Sequence, residues 1–158
     1  MNGQLKIIMG KIKEELAVLS DSIIYGELND GNTGIKSDKE TFKQYYEFLT
    51  ESDGARFGAI DLWSFDGLSS HQFRLSEFFG GTERWLEVGQ VLYEPLVIEK
   101  NSGQVYCFYQ GHPDMVGQPL GDFNFFLFNY AFGRKYEELV PGAHLEEWYQ
   151  FLRRIGLA

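Results

Sequence analysis

Apolar residues near the start of the chain recur at the spacing of one helical face: Leu5, Ile8, Met9, Ile12, Leu16 and Leu19. Lys6, Lys11, Lys13, Glu14 and Glu15 fall largely off that stripe. The pattern predicts an amphipathic helix of about four turns, docked on the core by its apolar side. Residues 26–34 are rich in Gly, Asn and Asp and read as a loop. Ser37 and Glu40 then have the spacing of a capping box, which predicts a helix lined by Phe42, Tyr45, Tyr46 and Leu49 and stopping near Asp53-Gly54.

The texture changes after residue 57. Ala59–Phe65 and Leu86–Val91 read as short strands among Gly-rich turns. Leu96–Glu99 and Gln104–Tyr109 flank Asn101-Ser102-Gly103 and predict a hairpin, with Pro95 tolerated at the strand's start. Alternation puts Val105, Cys107 and Tyr109 on one side, Tyr106 and Phe108 on the other. Residues 111–121 read as a second loop.

Asp122 is placed to cap a helix running through Phe132. It carries two apolar stripes: Phe123, Phe126, Leu127, Tyr130 and Ala131, then Phe125, Phe128 and Phe132. Such a helix is buried on both sides or meets a partner. The last predicted helix follows Pro141-Gly142, with Leu145, Trp148, Tyr149, Leu152 and Ile155 facing inward. Its acids come first and its arginines last, an order that suits the helix dipole. Helices before, within and after a run of strands predict a single α+β domain spanning 1–158, its mostly antiparallel twisted sheet flanked by N-terminal, middle and C-terminal helices.

Charge narrows the function. The 158 residues hold 14 Lys plus Arg against 23 Asp plus Glu, a net −9. Residues 44–99 hold only Arg56, Arg74 and Arg84 against ten acids, so −7 of that −9 sits in the middle third. A duplex nucleic acid or an anionic membrane surface needs the opposite sign. A basic protein partner fits it, although solubility alone also accounts for net charge. The apolar run at the N-terminus is cut by Lys6, Gly10 and Lys11 before a signal-peptide core forms, and a single cysteine suits a reducing compartment, so a cytoplasmic location is expected.

Candidate chemistry is sparse. His71, His112 and His144 lie far apart, and none pairs at a ligand spacing; His112-Pro113-Asp114 reads as a turn. Cys107 reads as a small buried apolar residue. Nucleophile-elbow, phosphate-loop and dinucleotide motifs are absent, so neither catalysis, a metal nor a cofactor is expected.

Tyr45-Tyr46-Glu47-Phe48-Leu49 followed by Asp53-Gly54 resembles the Y-x-x-F-L…N-G segment of the SUKH superfamily (the Smi/Knr type). Trp85–Gly89 resembles its "I-G" strand, Leu96–Tyr109 its hairpin, and Asp122–Leu127 its S-F-x-x-F-L helix, over about residues 35–132. The resemblance implies an α+β fold and no catalytic constellation; many bacterial members are immunity proteins that bind and block toxins, often nucleases. Joined to the acidic middle third, it leads to the expectation of a basic, nuclease-type toxin as partner. Asp53, Asp61, Asp66, Glu77, Glu83 and Glu87 are the expected contact acids, with Trp63 and Trp85 as aromatic anchors. The alternative is a scaffold or regulatory module, cell-wall or signalling related, that pairs as a homodimer through the aromatic helix.

Overall fold

The Asn2 side chain accepts a hydrogen bond from the Gln4 N–H at 2.8 Å and starts helix α1 (Gly3–Val18). Its Leu5, Met9 and Ile12 are buried while Ile7 and Val18 face solvent, so the predicted stripe docks on the core. The computed structural model describes residues 2–19, 26–109 and 112–158, with side chains at all of these except 109 and 112–115.

Strand β1 (Gly26–Leu28) occupies the start of the segment read as a loop. It pairs antiparallel with β2 (Ala55–Phe57), which pairs with β3 (Ile60–Leu62). Three-residue strands are too short for alternation to be read in sequence. Between β1 and β2, helix α2 (Lys43–Glu51) buries Tyr45, Phe48 and Leu49 completely. Full burial of such side chains contributes roughly 1.5–3 kcal/mol each. The expected capping box does not form: the helical turn Glu40–Phe42 starts at Lys39 without a side-chain cap. The Ser37 hydroxyl instead accepts from the Lys39 N–H at 3.1 Å, two residues on.

The chain next makes an excursion of short helical turns: α3 (Phe65–Leu68), Ser69–His71, Phe73–Glu77 and α4 (Gly81–Arg84). It returns as β4 (Trp85–Val91), which pairs with β3 on one side and with β5 (Glu94–Glu99) on the other. Gly89 sits where a Cβ would collide with the Asp61 backbone carbonyl, so β3 and β4 approach closely there. β5 pairs with β6 (Val105–Tyr109) through Leu96↔Cys107 and Ile98↔Val105, as the hairpin pattern predicts. Gly103 takes φ +75° in that turn, a conformation glycine adopts without steric cost.

β1 to β6 form one antiparallel meander, and β7 (His112–Val116) extends it at β6. β7 replaces part of the loop read at 111–121. The side chains of the His112-Pro113-Asp114 turn reading lie outside the described residues. Asp122 caps α5 (Phe123–Phe126), accepting from the Phe125 N–H at 2.8 Å, and the helix continues as a π-helical stretch, Leu127–Ala131. The wider turn shifts the phase of the residues beyond it. Phe132 is therefore buried with the first stripe, while Phe125 and Phe128 remain exposed.

Helix α6 (Tyr136–Leu139) precedes a turn at Ala143–Leu145 and α7 (Glu147–Arg154). Trp148, Tyr149 and Leu152 are buried as expected, and Ile155 is half-buried. Leu145 is not on the inner face; it is 75% exposed. Glu146 adopts an extended backbone (φ −83°, ψ 139°), which breaks the helix and resets its phase after Leu145. The α+β class thus stands as the sequence predicts. The helices cover one sheet face over the main core. On the other face Leu75 of the excursion joins Trp85, Val97 and Phe108 in a separate apolar cluster.

Candidate protein-docking surface

The excursion between β3 and β4 is anchored from below by a buried polar network. Glu87, on β4, is fully buried. It accepts hydrogen bonds from Arg74 Nε and, at 2.9 Å, from Trp63 Nε1. Gln72 bridges the same strand: its Oε1 accepts from the Glu87 N–H at 2.9 Å and its Nε2 donates to the Glu87 carbonyl at 2.8 Å. His71 stacks on Trp63 with centroids 3.9 Å apart and rings 12° from parallel. Each member is satisfied, the condition under which a buried polar network holds one conformation.

Arg74 extends this network to the β4–β5 turn. Its Nη1 donates to the Tyr93 carbonyl at 2.7 Å. Leu92 and Tyr93 take φ +50° and +73°, so both central residues of the turn are left-handed without being glycine. That pair of angles suits the twist of a two-residue hairpin, but Asn-Gly is the usual sequence for it. Such backbone costs of order 1–3 kcal/mol per residue and persists where neighbours over-determine it. Here the Leu92 N–H donates to the Ala59 carbonyl at 3.0 Å, and Arg74 holds the next residue.

The excursion and this turn carry the exposed aromatics of the region: Phe73 at 76%, Phe79 at 61% and Tyr93 at 72%, with Phe65 less so. Among them stand Asp66, Glu77 and Glu83, exposed and free of ion pairs among the described residues. Exposed rings beside exposed acids, with the Arg84 guanidinium 5.6 Å over the Phe79 ring, have the make-up of a protein contact patch.

No protein-family model matches the chain, and no curated protein matches it either.

The expected site residues divide. Asp66, Glu77 and Glu83 lie on three successive turns of the excursion, Phe65–Leu68, Phe73–Glu77 and Gly81–Arg84, and each is exposed. Asp53 is committed locally, accepting from the Phe65 N–H at 2.7 Å and so fixing the entry into α3. Asp61 accepts from Arg56 Nε at 2.8 Å and from Gln90 Nε2 at 2.9 Å. That pairing holds the Arg56 guanidinium above its usual pKa. Glu87 and Trp85 are corrections: both have zero exposure and cannot touch a docked protein. Glu87 is neutralised by Arg74, and Trp85 donates its Nε1 proton to the Phe79 carbonyl at 2.7 Å while packing edge-on against Phe108. Trp63 is half-buried, its edge taken by Glu87 and its face by His71.

All three arginines of the middle third are thus paired with acids of the same segment, Arg56 with Asp61, Arg74 with Glu87 and Arg84 with Glu99, and its net −7 rests on the remaining acids. Arg84 pairs with Glu99, whose carboxyl is held below its usual range first by the Ser102 hydroxyl and then by Arg84; Lys6 pairs with Glu51. Sequence reasoning does not single out the exposed rings of Phe65, Phe73, Phe79 and Tyr93. For Phe73, Phe79 and Tyr93 the available signal is an aromatic residue outside any predicted element, which pattern reading discards; Phe65 reads instead as the end of a strand.

Among the described residues, no three His, Cys, Asp or Glu side chains gather as a metal site, and no helix is long and apolar enough to cross a membrane.

Proposed function

We propose that the chain is a non-catalytic protein-binding domain of the SUKH kind, an immunity protein that neutralises a basic, nuclease-type toxin. The observation that carries this reading is the exposed set Asp66, Glu77 and Glu83 interleaved with Phe65, Phe73 and Phe79 on a base locked by Arg74 and Glu87. A nuclease needs a cationic cleft for phosphate, and an acidic surface competes for that cleft and speeds encounter. The rings supply the desolvated anchors that charge alone does not. The cytoplasm is the compartment where such an inhibitor guards nucleic acid.

Co-expression with a panel of basic nuclease toxins tests this. Wild-type chain rescues growth, and D66N/E77Q/E83Q rescues poorly at equal protein level. Full rescue by that variant removes the acidic patch from the account, and failure of the wild type removes the immunity reading.

A scaffold or regulatory role through self-association is the second reading. Phe125 and Phe128 support it, since they stay exposed on the face of the aromatic helix that the core does not cover. Sedimentation of a dimer that F125S/F128S dissociates favours it; a monomer at high concentration counts against it.

A further inference from the structure

The tip of the β4–β5 hairpin holds a backbone that the chain elsewhere gives to glycine. Among the described residues, eight glycines take positive φ, and the two other residues that do so are Leu92 and Tyr93. Gly103 serves the neighbouring β5–β6 turn in the ordinary way. An Asn-Gly pair would close the β4–β5 hairpin without strain. Packing does not account for a tyrosine here. Its side chain is exposed, and among the described residues its ring pairs with no other ring and its hydroxyl makes no hydrogen bond.

The tip is nonetheless held from two sides. The Leu92 N–H donates to the Ala59 carbonyl, between β2 and β3, and Arg74 Nη1 donates to the Tyr93 carbonyl. Arg74 is fixed in turn by the buried Glu87. Strain kept at an exposed position by contacts from elsewhere points to a use for the side chain it presents.

We infer that Tyr93 is the anchor of the docking surface and that Arg74 is the positioning residue that holds it ready. This assignment rests on the proposed function, in which the partner is the basic toxin attracted by the acids of the excursion. A tyrosine brings a large ring with few rotatable bonds. Fixing its backbone before encounter removes ordering cost from binding. The roles then divide. Asp66, Glu77 and Glu83 act over distance and set the association rate, whereas the ring acts at contact and sets the dissociation rate.

The test is stopped-flow association and dissociation of a basic nuclease toxin that the wild-type chain neutralises on co-expression, with Y93A, Y93F and R74K compared to wild type. Y93A is expected to dissociate about tenfold faster or more, while its association at low salt stays within about twofold. Y93F keeps the ring and is expected to dissociate within about twofold of wild type. R74K keeps a cation for Glu87 but gives up the second arm on the Tyr93 carbonyl. Its ¹⁵N heteronuclear NOEs are expected to fall at Leu92–Glu94 in the free chain and to stay unchanged elsewhere in the sheet, and its dissociation rate is expected to move towards that of Y93A. Y93A alters an exposed side chain alone, so its result stands whatever R74K does to the fold.

Y93A dissociating at the wild-type rate overturns the anchor; if D66N/E77Q/E83Q still slows association, the proposed function survives that result. A tip as ordered in R74K as in wild type overturns the role of Arg74. A wild-type chain that binds no toxin of the panel removes the proposed function and this inference together.

Discussion

The Arg74 guanidinium closes on the carboxylate of Glu87, a side chain with no exposure to solvent. With its other arm Arg74 holds the carbonyl of Tyr93, so one side chain links the floor of the docking surface to its outermost turn.

Removing one partner of such a pair leaves a buried charge uncompensated. R74M is therefore expected to destabilise the fold by about 3 kcal/mol or more. Adding E87L to it should restore part of the loss, because an apolar pair replaces a lone buried carboxylate, although Trp63 Nε1 then lacks its acceptor. Urea unfolding of the single and double variants measures this. A double variant less stable than R74M contradicts it.

Tyr93 makes the opposite prediction to an ordinary surface residue. Y93G normally costs stability through the unfolded chain's added freedom. At φ +73° it also releases left-handed strain, and little packing is lost from a side chain this exposed. A net gain of about 1 kcal/mol is expected. A rise in the urea midpoint at unchanged m-value checks it. On the proposed function, the same variant should weaken binding of a basic toxin, since it removes an exposed ring from the candidate docking surface. Stability and function then move in opposite directions.

Cys107 sets an alkaline limit. Its folded-state pKa is raised from 9.0 to about 12 by burial and by Glu94. The folded state thus favours the protonated thiol. The stabilisation is complete below pH 9 and is lost as pH rises towards 12. Burial raises the phenols of Tyr45 and Tyr136 in the same direction, so their contribution has the same sign. At pH 8 the native thiol should react with a disulfide reagent only on the timescale of unfolding. Fast, stoichiometric labelling of the folded protein would contradict this.

The elements legible in the sequence are those with long or marked patterns. Leu5, Met9 and Ile12 repeat over enough turns to define a face, and Leu96–Tyr109 surrounds a turn with glycine at the position that needs it. β1 and β2 escape notice because three residues show no period. The β4–β5 turn escapes because Leu92-Tyr93 carries no turn chemistry; its conformation is imposed by Ala59 and Arg74 from elsewhere in the fold. Glu87 reads as a surface acid for the same reason. Its neutralising partner is 13 positions earlier, and nothing local marks the pairing. The acids that do face solvent, Asp66, Glu77 and Glu83, share short helical turns that no pattern joins in advance.

The most direct test of the central claim is the association rate of the chain with a basic nuclease toxin that it neutralises on co-expression, measured against salt for wild type and D66N/E77Q/E83Q. Electrostatic docking through the excursion predicts fast association that falls steeply with ionic strength. The variant should associate about tenfold more slowly at low salt, with a flatter dependence. Identical rates and salt slopes for the two proteins would contradict it.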